Sequence, residues 1–155
     1  MKIATLCFLT DDSRILLSRK KKKIGAGKWN GFGGGVEPGE NIEEAAVREA
    51  KEECGASVRV PHLQGRGVIA FYADNTPTWT VHIFITREWH GNPRETGEMG
   101  EMRWFDFGRI PYADMLPADK EWLPLVLAGK AVEGNFYYNA DVTVLEHFQL
   151  TERNV

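Results

Sequence analysis

Apolar and polar residues alternate most clearly from Thr78 to Arg87 (TWTVHIFITR), where Trp79, Val81, Ile83 and Ile85 share one side. A period of two predicts a strand. His82 falls on the other side and reads as a core or edge histidine, because the sequence offers it no catalytic partner. Lys2 to Leu9, Arg14 to Ser18, Val58 to Val60, Gly67 to Tyr72 and Met102 to Phe107 are further β-type runs. Thr10 to Ser13 makes the turn between the first two. Gly134 to Tyr138 and Val142 to Phe148 predict a closing hairpin around Asn139, Ala140 and Asp141.

The period becomes helical between Asn41 and Gly55. Ala46, Val47, Ala50 and Cys54 form a narrow stripe of small residues that lets a helix lie close to a sheet. Asn41 stands at the N-cap with Glu44 three residues later, and Gly55 is placed to stop the helix in the left-handed conformation. A second helix is predicted from Glu121 to Ala128, ended by Gly129. Strands with two helices and no repeat predict an α+β fold over residues 1–155, organised as one domain.

The neighbouring face of the first helix carries Glu49, Glu52 and Glu53. Like charges at these spacings repel by a few tenths of a kcal/mol per pair, ~0.2–0.5. The plainest account is a solvated surface helix with Arg48 and Lys51 as partners. One cation does not neutralise three carboxylates, however, and a hard divalent ion such as magnesium would offset their repulsion through oxygen ligands. Spacing alone leaves both accounts open. Immediately upstream, Gly25 to Gly35 is dense in glycine, which lets backbone approach a ligand closely, and Pro38-Gly39 turns the chain into the helix. Arg19 to Lys23 is the one strong basic run. It has no interleaved aromatic residue to stack single-stranded bases, whereas a lysine ammonium can neutralise phosphates.

Composition narrows the classes. The formal charge is −3, with 43% hydrophobic and 26% charged residues, so no global basic field advertises a stable nucleic-acid partner. Cys7 and Cys54 lie in apolar patterns and read as reduced core thiols. Charge interrupts each apolar run, which gives no expectation of a membrane span or leader. A cytoplasmic monomer acting on a small molecule is expected.

The order Gly34, Glu40, then Arg48-Glu49-Ala50-Lys51-Glu52-Glu53-Cys54-Gly55-Ala56 resembles the Nudix box, here residues 34–56. Ala50 and Ala56 depart from it, where the family prefers larger aliphatic residues. From Lys20 onward the chain is similar to the MutT-like branch that hydrolyses oxidised purine nucleoside triphosphates. The pieces that match are GAGKWNGFGG, EMRWF, IPYADMLP, WLPLVL and GNF. The resemblance implies an α/β/α sandwich with a mixed central sheet and the box helix packed on it.

The same resemblance implies metal-assisted hydrolysis to a nucleoside monophosphate and pyrophosphate. Magnesium, with manganese as a substitute, would be held by Glu49, Glu52 and Glu53 with the backbone at Gly33 and Gly34. Glu98 falls at the family's further acidic position, with Glu101 as a rival. Arg48 joins these glutamates in the catalytic set, and Glu53 and Glu98 are candidates for the base. Lys20 would meet the phosphates. Asn30, Thr5, Phe32, Gly33, Gly34, Leu116 and Asp119 would line the substrate. The branch reads the base with Trp-Pro-Asp-Asp, where this chain has Leu116-Pro117-Ala118-Asp119, so a stacking ring and one aspartate are replaced. Trp79 is a candidate for a substitute aromatic wall. The alternatives are a hydrolase of another diphosphate (a nucleotide sugar, a dinucleotide or capped RNA) and a non-catalytic nucleotide- or RNA-binding module built on Arg19 to Lys23.

Overall fold

Among the described residues, eight strands and two α-helices run in chain order as β1 (Lys2–Leu9), β2 (Arg14–Lys20), β3 (Trp29–Asn30), α1 (Ile42–Cys54), β4 (Gln64–Ala73), β5 (Thr76–Thr86), β6 (Met99–Asp106), α2 (Asp119–Leu127), β7 (Lys130–Tyr138) and β8 (Leu145–Asn154). The structure, a computed structural model, describes residues 1–22 and 24–155. Lys23 of the basic run therefore lies outside the described residues.

The main sheet is mixed, in the order β1-β5-β4-β7-β8. β1 and β5 are parallel, as are β4 and β7, while β5–β4 and β7–β8 are antiparallel. Both faces of β5 are covered toward its C-terminal end. Ile83 and Ile85 join a cluster with Trp122, Leu123 and Val126 of α2. Phe84 joins a second cluster with Cys7, Leu9, Ala46 and Cys54 against α1. One helix on each face gives the expected α/β/α layering. A smaller second sheet, β3-β2-β6, borders it.

Helix α1 starts and stops where its caps predict. Asn41 Oδ1 accepts the Glu44 amide at 2.8 Å, and Gly55 adopts φ 80° while its N–H donates to Lys51 O. The buried face differs in one position: Ala45 is fully buried and Val47 only partly. Ala45, Ala46, Glu49, Ala50, Glu53 and Cys54 all point inward, so small apolar residues and two carboxylates share one face. Ala50 and Ala56, the two departures from the box, are fully buried, which lets α1 pack close to β1. Cys7 and Cys54 are free, buried thiols.

Several element assignments differ from the sequence expectation; β4, β6 and β7 begin earlier than the predicted Gly67, Met102 and Gly134. Val58 to Val60 is not a strand. Ser57 alone bridges His90, and Val60–His62 form a 3₁₀ turn, because Pro61 has no N–H for a ladder. The last strand begins at Leu145 rather than Val142. The Asn139 side chain accepts the amides of Thr143 and Val144 and lengthens the turn, with Val142 at φ 59°. Helix α2 begins at Asp119, two residues before the predicted Glu121, which brings Asp119 into its first turn.

Candidate active site

The free edge of β1 holds the glycine stretch in place. Thr5 donates to Gly34 O at 2.9 Å, Cys7 and Phe32 exchange both backbone bonds, and Val36 donates to Ile3 O. Two glycines here sit against close neighbours, Gly33 against backbone and Gly34 against a side-chain carboxylate. A Cβ on Gly33 would lie 1.8 Å from Thr5 O, and one on Gly34 would lie 2.6 Å from Glu49 Oε1. The backbone thus passes directly over the carboxylates that α1 presents.

Glu49 and Glu53, one turn apart on α1, are 9% and 5% exposed. Each can bring an oxygen within 4.8 Å of the other and of one from Glu98. Glu53 Oε1 accepts the Gly33 amide at 2.7 Å. Burial is the main reason its carboxyl is pushed up to about 8; the Gly33 amide opposes this, and Glu49 and Glu98 add to it. Burial also raises Glu49, against the pull of Arg48. Three crowded carboxylates, two of them buried, are the donor set that a hard divalent ion accepts. Glu49, Glu53 and Glu98 therefore fit such an ion.

Arg48 organises the cluster from its side. Its Nε and Nη2 grip both Glu40 oxygens at 2.7 and 2.9 Å, Nη1 reaches Glu49 at 2.9 Å and Glu52 at 3.2 Å, and Nη2 also meets Gly35 O. The guanidinium holds Glu40 down at about 2. The donors of Arg48, expected in the catalytic set, are spent on these protein oxygens. Glu52 is 56% exposed and turned to Arg48, so it stands outside the trio. Between the two rival acids, geometry brings in Glu98. Glu101 instead faces Arg19 at 3.6 Å and Arg103 at 2.7 Å. A register shift between Ser18 and Lys20 pairs Lys20 with Met99, which brings Glu98 to the start of β6.

On the opposite wall, Lys20 Nζ donates to Ile24 O at 2.8 Å. A Cβ on Gly25 would lie 3.8 Å from both the Lys20 stem and the Leu116 side chain, so Leu116 closes over the glycine loop. Asn30 Oδ1 accepts the Gly31 amide, which orients its amide group. Trp79 is half-buried at the end of β5, with Lys2 Nζ 5.4 Å over its ring. One residue expected to line the substrate lies differently. Phe32 has no exposed surface and packs among Cys7, Leu9 and Ala46, because alternation along the glycine stretch turns its ring toward α1. It is a core residue. Thr5 alternates with Cys7 and Leu9 and lies under the Gly33–Gly34 turn, and its buried hydroxyl has no partner among the described residues.

Asp119 is 4% exposed, and burial raises it to about 7. Its Oδ2 has no partner among the described residues. Ala118 is fully buried in the α2-side cluster, and its amide donates to the Tyr138 hydroxyl at 2.8 Å. Arg19, read from sequence only as part of a basic run, ties the two loops together. Its Nη1 donates to Gly27 O at 2.7 Å and Asp114 at 2.8 Å, and its guanidinium lies 4.5 Å over Trp29. Lys21 likewise serves structure, donating through Nζ to Thr96 O.

The family model for the NUDIX domain matches residues 1–126. The chain belongs to the NUDIX family. It is 42% identical over 147 residues to the oxidized purine nucleoside triphosphate hydrolase of Mus musculus, covering 94% of this chain and 92% of that protein. The Danio rerio protein of the same name is 41% identical over 146 residues, with 94% and 92% covered. The MutT protein from Bacillus halodurans superposes with a TM-score of 0.83 at 25% identity, covering 97% of each chain. The chain is thus a Nudix hydrolase, a class that generally uses a divalent metal. No helix among the described residues is long and apolar enough to cross a membrane.

Gly34→Ala tests the close approach of backbone and carboxylate. The added methyl lands on the Glu49 carboxylate, so Glu49 must move while the β1 pairing remains. Divalent-ion affinity, measured by calorimetry, is expected to fall about 10–100-fold, as it does when a ligand's support is removed.

Proposed function

We propose that this Nudix hydrolase converts oxidised purine nucleoside triphosphates to monophosphate and pyrophosphate with magnesium, as a cytoplasmic monomer that cleanses the nucleotide pool. The observation that carries this reading is the convergence of Glu49, Glu53 and Glu98 beside the Gly33–Gly34 backbone, in a chain whose full-length relatives carry that activity in their names. Magnesium, or manganese in its place, would be held by Glu49, Glu53 and Glu98, with Glu52 within reach of the same face. When bound, it would supply charge neutralisation and a more acidic water.

The residues divide the remaining work. Glu53, oriented by its Gly33 hydrogen bond and raised by burial to about 8, would accept a proton from water once ion binding has left it as a carboxylate. Glu98 is the second candidate. Lys20 would meet the phosphates across the glycine loop, and Asn30, its oxygen spent on Gly31, has its amide N–H groups left for a base acceptor. Asp119, raised to about 7, is present in both protonation states at neutral pH and can donate to or accept from a purine edge. With Leu116 and Ala118 replacing a stacking ring and a second carboxyl, base reading would rest on Asp119, Asn30 and apolar contact.

Chromatographic analysis of products from 8-oxo-dGTP, 2-hydroxy-dATP, dGTP, dATP and ADP-ribose tests this directly. The oxidised triphosphates are expected to be hydrolysed fastest. Asp119→Asn is expected to lower kcat/KM for them about 10–100-fold, the effect of one buried hydrogen bond of ~1–3 kcal/mol, with little change for ADP-ribose. Preference for ADP-ribose or unmodified nucleotides in the parent protein would mean that Leu116 and Ala118 have re-aimed the pocket, and the substrate assignment would fall.

A further inference from the structure

We propose that Thr96 is a positioning residue whose hydroxyl pins the Glu98 loop to the end of α1 and so sets the reach of Glu98 to Glu49 and Glu53; the proposal rests on reading that trio as the ion site.

The carbonyls of a helix's last turn have no partner within the helix. Here the segment leading to Glu98 supplies them. Arg94 N–H donates to Cys54 O at 2.9 Å, and the Thr96 hydroxyl donates to Glu53 O at 2.8 Å. The same hydroxyl oxygen accepts the Met99 amide at 3.2 Å and the Glu98 amide at 3.3 Å. One atom therefore joins the backbone of Glu53 to the backbone of Glu98.

The other polar groups of Thr96 are engaged as well. Its N–H donates to Met99 O at 2.9 Å, and its carbonyl accepts Lys21 Nζ at 2.7 Å. Lys21 N–H donates to Glu98 O at 3.0 Å. Glu95, Gly97 and Glu98 are exposed, whereas Thr96 is half-buried and Met99 fully buried. The loop is thus anchored at Thr96, with a glycine between the anchor and the carboxylate. Removing the hydroxyl leaves Glu53 O without its donor and the Glu98 amide without its acceptor. Thr96 bonds only to protein groups, so its effect passes through Glu98.

The test uses the metal-free full chain and Mn2+ alone, followed by EPR, for the parent, Thr96→Val, Thr96→Ser, Glu98→Gln and the Thr96→Val/Glu98→Gln double variant. Valine keeps the shape and removes the hydroxyl, while serine keeps the hydroxyl. Thr96→Val is expected to bind Mn2+ about 10–100-fold more weakly, and Thr96→Ser to restore parental binding. The double variant is expected to bind as weakly as Glu98→Gln alone, because residues that act through one another are not additive. With nucleotide, kcat falls while KM holds. Parental binding by Thr96→Val, or a loss that adds fully to that of Glu98→Gln, overturns the proposal. Unchanged binding by Glu98→Gln would instead overturn the ion-site reading itself. Should Thr96→Val unfold, as judged by circular dichroism, Lys21→Ala removes the bond to Thr96 O from the exposed side. It is expected to weaken Mn2+ binding in the same Glu98-dependent way, and additivity with Glu98→Gln there counts against the proposal.

Discussion

Glu53→Gln is expected to lower kcat on an oxidised purine triphosphate by about 10²–10⁴-fold, the range that a positioned proton acceptor contributes, while KM changes little. Glutamine is nearly isosteric, and its Oε1 can still accept the Gly33 amide that Glu53 accepts at 2.7 Å. The fold and the β1–glycine pairing should therefore survive, which separates a chemical loss from a structural one. What disappears is the negative charge and the site for a proton. Glu52→Gln provides the contrast. Its parent carboxylate is exposed and paired with Arg48, so a smaller loss is expected. Single-turnover rates with magnesium measure both. Activity of Glu53→Gln within a few-fold of the parent would move the base assignment to Glu98.

The second large effect is on stability without metal. Glu53 titrates at about 8 in the fold, against an ordinary 4.5. Between those values the native state holds a proton that the unfolded chain has released. Stability therefore falls as pH rises from about 4.5 to about 8 and is level beyond, with the favourable contribution fully present only below 4.5. Asp119, raised from 3.8 to about 7 by burial, acts in the same direction over a lower window. The loss assigned to Glu53 is at most about 5 kcal/mol, the rise from 4.5 to about 8 at about 1.4 kcal/mol per unit of pKa. Thermal unfolding of the metal-free protein should show a falling midpoint across this range. Magnesium should restore it, most strongly near pH 8, where binding no longer has to displace a proton. Glu53→Gln should flatten the slope and stabilise the metal-free protein at high pH. A midpoint that rises from pH 5 to 8 without metal would show that the carboxylate is not desolvated as the geometry requires.

Local chemistry made much of this molecule readable from its residues. The capping residues Asn41 and Gly55 act within one turn of themselves, so the bounds of α1 follow from sequence. The alternation in Thr78 to Arg87 reports directly on a strand. The box glutamates repeat at helical spacing, and an i, i+4 pair must share a face whatever the helix packs against. Even the substituted base loop was legible, because Leu116 and Ala118 lack the groups they replace.

Other features depend on which segments meet. Glu98 and Glu101 are both acidic and three residues apart, and only the packing of β6 and the loop before it shows which one joins Glu49 and Glu53. Phe32 stands between two site residues in sequence, yet the pairing of the glycine stretch with β1 turns its ring into the core. Arg19 and Lys21 look like members of a solvated basic run, and their roles appear only when Asp114 and Thr96, far along the chain, come into reach. The raised pKa of Glu53 has the same origin, since desolvation comes from everything packed around a carboxyl. The sequence by itself determined the helix, its caps and the carboxylates it carries, and the resemblance to the Nudix box pointed to the reaction class. Only the tertiary structure decided which acid completes the cluster and what holds it there, because those outcomes rest on contacts between residues that sequence spacing does not relate.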